Sequence, residues 1–393
     1  MPDYTYLIIG GGMAAAAAIT GIREVDDASS IGVITAEPHS PYNRPPLSKW
    51  LWTGKPLSSI WRKVNSSMVT FHHSRTAQAL DAQHKQVTDD QGAVYRFSKL
   101  LLATGCTPRR LSVGGDQIIY YRTLDDYERV RRLTEHSDRF AIIGSGFIGS
   151  EMAAALAVNG KRVTLIFPDE AIGSHMYPVD LARSLNEFYR AKGIEVVPGT
   201  KVIGCDSHDG NSVVTVRDVH SGREQAIIAD GIIAGVGVQP NVELAQAAGL
   251  EVDDGIRVNA SLRTSHPDIY AAGDVASVYN PALNQWRRVE HEDNANSMGG
   301  YAGIAMTGRT VSYEYLPFFY SDFFDVAYEA VGEVDARLEM VEDWKIPCRE
   351  GVVYYLREGR VRGMLCWNIY GLVGAGRRLI ASAEPFRPID RER

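Results

Sequence analysis

Cysteine is sparse: four residues, at positions 106, 205, 348 and 366, in a chain of 393. None makes a C-x-x-C pair or a metal-ligand spacing, so neither a redox-active dithiol nor a disulfide framework is expected. The four are read as ordinary thiols and the compartment as a reducing cytoplasm. Basic charge is short as well. Lys and Arg number 41 against 48 Asp and Glu, a net charge of −7. A nucleic-acid binder normally carries the opposite balance. No apolar run approaches the roughly 18 uncharged residues that a membrane span needs. Residues 13–19 are apolar, but the run is short and follows three glycines. An apolar run opens at Tyr4, before any basic n-region fits, so no signal peptide is expected. Adjacent histidines stand at 72 and 73, yet no nearby acid or cysteine completes a metal set, and none is expected.

What is present is core material. Apolar residues make up 45% and charged residues 23%, the balance of a globular protein. At about 150 residues per domain, the length suggests two to three domains. The chain opens with strand formers at residues 4–9, then Gly10-Gly-Gly-Met-Ala-Ala15, then an alanine-rich stretch of high helix propensity. A second strand follows at residues 31–35. Strand, tight turn, helix and strand in that order predict a parallel sheet. The pattern returns at residues 140–143 and Gly144-Ser-Gly-Phe147-Ile148-Gly149, with a helix expected over 151–158 and a strand over 162–167. One fingerprint occurring twice is a duplicated domain type, not a short solenoid repeat.

A G-x-G-x-x-G/A turn lets the backbone approach a pyrophosphate and puts its charge on a helix N-terminus. Gly10, Gly12 and Ala15 supply the first copy, with Glu37 as the acid that should bind a ribose. Gly144, Gly146 and Gly149 supply the second, where the strand end, Phe167, is apolar and Asp169 follows two residues later. No arginine stands there to hold a 2′-phosphate, and Arg162 lies at the wrong end of the strand. That favours NADH over NADPH. Two dinucleotide sites in one chain imply a flavin and a nicotinamide exchanging hydride. Two further runs each predict a buried strand ending in a tight turn: 100–105, closing on Ala103-Thr104-Gly105, and 232–241, containing Gly237. Residues 264–274 place Gly273-Asp274 just after a strand. Asp274 can bond a ribityl hydroxyl, or it can cap a helix. From Tyr313 onward aromatics and short β-like runs dominate, predicting an antiparallel sheet closed by a helix near residues 376–383.

The motif order resembles the two-dinucleotide flavoprotein reductases of the glutathione-reductase-like superfamily. Pro41-Tyr-Asn-Arg44-Pro-Pro-Leu-Ser-Lys49 is similar to the flavin segment of the ferredoxin-reductase-like branch. Phe167-Pro-Asp169, Val289-Glu-His-Glu-Asp293, Met306-Thr-Gly308, Tyr328-Glu-Ala-Val-Gly332 and Trp367-Asn-Ile369 resemble apoptosis-inducing factor and its bacterial relatives. The resemblance implies an α/β protein with two Rossmann-like domains and a C-terminal α+β domain with an antiparallel sheet. Its expected divisions are residues 1–111 with 241–312 for FAD, 112–240 for NAD and 313–393 for the C-terminal domain.

Carried over, Gly10, Gly12 and Ala15 would hold the FAD pyrophosphate and Glu37 its ribose. Arg44 and Lys49 would face the flavin, with Ala77 at the adenine and Arg122 reaching the phosphates. Ala103, Thr104, Gly105, Gly273, Asp274 and His291 would complete the FAD site. Gly144, Gly146, Phe147, Ile148 and Gly149 would hold the NADH phosphates, with Asp169 at the ribose. Gly237, Glu290 and Glu329 would line the nicotinamide end, and Asn368 a nucleotide. Lys49, Glu151 and Glu290 are the candidate catalytic residues. Glu151 either compensates the helix dipole from the first turn or pairs with Lys49. The chain departs from the family where an aromatic, tryptophan in apoptosis-inducing factor, is Tyr320, and where a basic residue at the NAD ribose is His175. The animal protein's mitochondrial presequence and long insertion have no counterpart, and no basic patch supports a DNA-binding role.

The implied activity is an FAD-dependent NADH oxidoreductase without a redox-active disulfide. Its electrons would pass to a ferredoxin, a quinone, oxygen or a small organic oxidant. Two alternatives stay open: the ferredoxin reductase of an oxygenase chain, or a redox sensor whose oligomeric state changes with NADH. Neither nucleic acid nor a membrane span is expected, and a homodimer is left open.

Overall fold

The computed structural model describes residues 1–64, 68–208, 211–382 and 384–386. The chain divides into two compact units. The first comprises Met1–Arg44, Ser58–Thr107 and Gln239–Phe319, and the second Pro45–Leu57, Pro108–Val238 and Tyr320–Arg393. Nearly all of 112–240 and most of 313–393, expected as separate domains, thus fall in one unit, and 45–57 joins them.

In the first unit a parallel core sheet runs in the order Val69–His72, Ile31–Ile34, Asp3–Ile9, Val94–Leu102, with Ile269–Ala271 also paired to Val94–Leu102. Leu7, Ile8, Ile31, Val33, Leu100, Leu101 and Leu102 are almost fully buried. Such unbroken apolar runs suit strands covered on both faces. Register aligns Ile9 with Ile34 and Leu102, and Leu102 with Ala271. The residues that follow these strands, Gly10, Ala103 and Ala272–Gly273, therefore come to one edge of the sheet.

Helix Met13–Arg23 follows the first glycine turn and packs on helix Glu292–Met306, with glycines at the closest approaches. A Cβ on Gly299 would lie 2.3 Å from the Ala14 carbonyl oxygen, one on Gly303 2.1 Å from that of Ala18, and one on Gly21 2.2 Å from that of Gly300. The alanine run is thus a close-packing surface as well as a good helix former. Tyr313, placed by sequence at the start of a third domain, is buried here, with its hydroxyl on Asn294 and Ser297.

The second unit repeats the design. Its parallel sheet runs Glu195–Val197, Arg162–Ile166, Arg139–Ile143, Gly231–Ala234, Ile118–Tyr120. Helix Phe147–Val158 follows the second glycine turn, starting four residues earlier than the expected 151. The same unit holds an antiparallel sheet in the order Phe318–Phe323, Val326–Gly332, Arg360–Trp367, Glu350–Arg357, Glu339–Ile346. Its closing helix is Val373–Ala381; the expected end at residue 383 lies outside the described residues. Among the described residues no helix is long and apolar enough to cross a membrane.

Candidate functional site

The two glycine turns have matching geometry. Gly10 has φ +112°, and a Cβ there would lie 2.1 Å from the Ala103 carbonyl oxygen. Gly144 has φ +102°, and a Cβ there would lie 2.4 Å from the Gly235 carbonyl oxygen. Only glycine fits either place. Gly12 and Gly146 are the N-caps of the two helices, both extended, with no side-chain cap bond. A Cβ on either would meet nothing within 4 Å. Each turn is therefore an open cradle of backbone N–H groups at a helix N-terminus, suited to a pyrophosphate. The third small residue differs. Ala15 is fully buried, whereas a Cβ at Gly149 would lie 1.8 Å from the Gly144 carbonyl oxygen. Phe147 and Ile148 occupy the first turn of the second helix. One cavity of about 350 Å³ lies away from the second turn, lined by Gln117, Arg129, His136, Asp230 and Gly231 at the opposite ends of the second unit's strands.

Around the first turn, Asn241 braces the Ala103-Thr104-Gly105 bend. Its side-chain amide nitrogen donates to the Thr104 carbonyl and its backbone carbonyl accepts from Thr104 Oγ1, both at 2.8 Å. Glu37 is engaged by its own neighbours. Tyr42 Oη donates to it at 2.5 Å, and Arg44 pairs with it at 2.5 Å. Arg44, expected at the flavin, thus anchors Glu37, the acid expected at the ribose. Ala77 opens strand Ala77–Asp81. Gly273, at φ +81°, sets the bend before Asp274. The helix-cap reading of Asp274 is overturned: strand Ala276–Asn280 follows it. The cap of helix Glu292–Met306 is His291 instead, stacked on Phe319 at 4.5 Å. Burial pushes the His291 imidazole down to about 4, so it is neutral at pH 7. Glu290 Oε1 accepts from Arg288 at 2.6 Å.

In the second unit Lys49 sits between two 3₁₀ turns, Pro45–Ser48 and Trp50–Thr53. The segment is pinned through the Leu47 carbonyl, which accepts from Tyr121 Oη at 2.5 Å and Trp52 Nε1 at 2.7 Å. Lys49 Nζ pairs with Glu151 and lies 3.1 Å from Asp322, and it stands 5.5 Å from the centre of the Tyr320 ring. Ser48 Oγ and Ser321 Oγ each donate to Glu151 at 2.5 Å. Glu151 lies one residue beyond the first helical turn and is 5% exposed, so it does not serve as solvated dipole compensation. Sequence reasoning missed Ser48, Ser321, Asp322 and Arg288. Ser48 precedes Lys49 within the flavin-segment motif, and Ser321 and Asp322 follow Tyr320 directly, which is the signal that these three carried.

The remaining candidates are more scattered. Arg122 donates its backbone N–H to Asp126, within the capping box of helix Leu124–Thr134. Asp169 is exposed on the loop after strand Arg162–Ile166, and Gly237 is a left-handed glycine at φ +91°. Glu329 accepts from the Gly371 N–H at 3.0 Å. Both ends of the Asn368 amide are committed to backbone, on Ala327 N–H and the Arg349 carbonyl. These two bonds brace the turn after strand Arg360–Trp367. His175 offers its carbonyl to Ala336 N–H, and His72 Nε2 meets Tyr4 Oη at 2.8 Å as part of the core.

Residues 4–299 match the family described as pyridine nucleotide-disulphide oxidoreductase. The chain belongs to this family. Across the pyridine nucleotide-disulphide oxidoreductases, it is 31% identical to apoptosis-inducing factor 1, mitochondrial, of Dictyostelium discoideum, over 96% of this chain and 78% of that protein. It is also 31% identical to the 5,5'-dehydrodivanillate O-demethylase ferredoxin reductase subunit of a Sphingobium species, over 100% of this chain and 96% of the relative. Among solved structures, a covalent putidaredoxin reductase–putidaredoxin complex superposes with a TM-score of 0.88 at 26% identity, covering 97% of this chain and 94% of that one. The protein is an FAD- and NAD(H)-linked oxidoreductase that passes electrons onward. Despite the family's name, none of Cys106, Cys205, Cys348 and Cys366 is in a disulfide.

Proposed function

We propose that this chain is the NADH-oxidising reductase of an electron-transfer chain whose acceptor is a ferredoxin. The observation that carries the reading is the end-to-end likeness to a ferredoxin reductase subunit, over 100% of this chain and 96% of that one. The free cysteines agree with it, since electrons then have no disulfide to pass through. FAD, when bound, supplies the conversion of a two-electron hydride into single electrons.

The chain's own residues bind and orient. The Gly10–Ala15 turn cradles the FAD pyrophosphate, with Glu37 at the ribose, held by Tyr42 and Arg44. Asp274 and neutral His291 attend the ribityl and ring portions. The Gly144–Gly149 turn takes NADH, with Asp169 at its ribose. Lys49, fixed by Glu151, is the ammonium this reading assigns to balancing negative charge on the reduced flavin. In this reading the chain works in the cytoplasm, in keeping with its four thiols.

The test mixes purified holoprotein with NADH and a purified iron–sulfur ferredoxin, in parallel with a quinone and with oxygen. Rapid multiple-turnover bleaching of the ferredoxin, faster than either alternative acceptor, is expected. Ferredoxin reduction no faster than by free FAD overturns the reading. A persistent long-wavelength band with slow reoxidation would replace it with the sensor.

A further inference from the structure

We infer that Arg288 is a positioning residue for the flavin site of the first unit, one guanidinium holding the Asp274 turn and aiming the Glu290 carboxylate. The inference rests on the proposed reading of Asp274 as the ribityl contact. Arg288 ends strand Gln285–Arg288, and its side chain is 8% exposed. Nη1 donates to Glu290 at 2.6 Å, to the Asp274 carbonyl at 3.2 Å and towards Cys106 Sγ at 3.5 Å. The Cys106 thiol also points at the Asp274 carbonyl, at 3.5 Å. The Asp274 peptide is thus gripped from two sides by residues far from it in sequence.

Charge neutralisation alone does not explain this placement. The two carboxylates paired with Arg288 lie outward: Asp254 is 76% exposed and Glu290 35%. An arginine serving only them could remain in water, where its charge costs nothing to solvate. Bringing the guanidinium inward gains the Asp274 carbonyl. The chain also leaves room for it. A Cβ on Gly255 would lie 2.6 Å from the Val275 carbonyl oxygen and 2.8 Å from Arg288 Cδ, so both the neighbouring backbone and the inward arginine require a small residue there.

The consequence is chemical. The Asp274 carboxylate acts electrostatically on Arg44 and His291, both assigned to the flavin site. Where that carboxylate points follows from how its peptide is held. A ribityl hydroxyl needs its acceptor within hydrogen-bond reach, a tolerance of a few tenths of an ångström. Because the same nitrogen also holds Glu290, the two acids are set together.

The test compares Arg288→Ala, Arg288→Lys and Asp274→Ala holoproteins, with Arg257→Ala as control. Arg257 lies over the Trp286 ring at 4.1 Å in the same small sheet and should be silent. FAD release is read from the recovery of flavin fluorescence, beside the melting temperature of each protein. Arg288→Ala should release FAD about ten- to hundredfold faster, the range for a charge-assisted hydrogen bond. Arg288→Lys should be intermediate, since its ammonium keeps the charge but sits on a shorter, flexible stem without the guanidinium plane that fixes the donor between the carbonyl and Glu290. Millimolar guanidinium should restore slow release to Arg288→Ala but not to Asp274→Ala. Release within twofold of the unaltered protein in both Arg288 variants, with Asp274→Ala fast, overturns the inference alone. Fast release that guanidinium does not slow, or a lowered melting temperature without faster release, overturns it too. If Arg288→Ala does not fold, Arg288→Lys carries the decision. Unchanged release from Asp274→Ala overturns instead the ribityl reading beneath it.

Discussion

Lys49 and Glu151, 102 positions apart in the chain, form a buried ion pair whose side chains are 5% and 6% exposed. Neither charge is left to the pair alone. Glu151 accepts from Ser48 and Ser321 as well, and Lys49 has Asp322 on its open side. A buried pair earns its place only when the spare lone pairs and protons are satisfied, and these are. Removing Lys49 leaves Glu151 with hydroxyl donors in place of the ammonium, at a typical cost of about 3–5 kcal/mol, whereas removing Glu151 costs less because Asp322 stays beside Lys49. Lys49→Ala should slow flavin reduction by NADH and lower the flavin midpoint potential, because an ammonium near the ring favours the anionic reduced form. Glu151→Ala should move both observables, and the double variant should be less impaired than the summed single effects. Strict additivity in rate and potential would separate the two residues.

The duplicated turns allow the two nucleotides to be separated by one methyl group each. Gly144→Ala forces a Cβ to 2.4 Å from the Gly235 carbonyl oxygen at a φ of +102°. The expected protein is yellow, with one non-covalent FAD per chain, but has lost saturable NADH binding. Gly10→Ala, with its Cβ 2.1 Å from the Ala103 carbonyl oxygen, should come out colourless. The ratio of flavin to protein absorbance reads the first, and anaerobic NADH titration the second. A Gly144→Ala protein with an unchanged NADH titration would detach that turn from NADH.

These turns were the legible part of the chain. Glycine positions are dictated by backbone geometry, which is local, so Gly10 and Gly144 announce themselves. The flanking strands read equally well, because parallel strands covered on both faces are apolar without a break. The partners of a buried charge are not local. Nothing near Glu151 in sequence points to Ser48 or Ser321, and nothing near Asp274 points to Arg288. Asp274 itself was ambiguous because an acid after a strand can precede either a helix or another strand. Asn368 reads as a ligand in family terms, yet both ends of its amide brace a turn.

NADH should reduce the flavin far better than NADPH. Asp169 is exposed on the loop where a 2′-phosphate would lie, and the strand end before it is Phe167. A phosphate facing a carboxylate without a close cation loses about 1–3 kcal/mol, roughly tenfold to a hundredfold in kcat/KM. Asp169→Ala should narrow the gap and Asp169→Arg reverse part of it. Equal kcat/KM for the two nucleotides in the unaltered protein would remove Asp169 from the ribose.

Acid stability should depend measurably on Asp230. This residue directly precedes strand Gly231–Ala234, and its carboxylate accepts from the backbone N–H groups of Asp138 and Arg139 at 3.0 and 2.9 Å. Arg139 adds Nε at 3.1 Å and Nη2 at 2.5 Å. These donors, the Arg139 side chain first, hold the carboxyl down to about 2, against 3.8 ordinarily. Between those two values the unfolded chain binds a proton that the folded chain refuses. The Asp230 contribution is therefore complete above about pH 4, falls as pH drops through the window, and is gone below about pH 2. Asp230→Asn keeps one carbonyl acceptor but loses the charge, so its melting temperature at pH 7 should fall by about 2–4 °C. Its melting temperature should also decline less steeply than the parent's on acidification from pH 4. Asp26 and Asp268, held down to about 2 by other partners, keep a residual slope in both proteins. The measurement is scanning calorimetry of the two proteins at matched ionic strength across that range. Curves that stay parallel from pH 7 to the acid limit would mean that the Arg139 clamp adds nothing to folding.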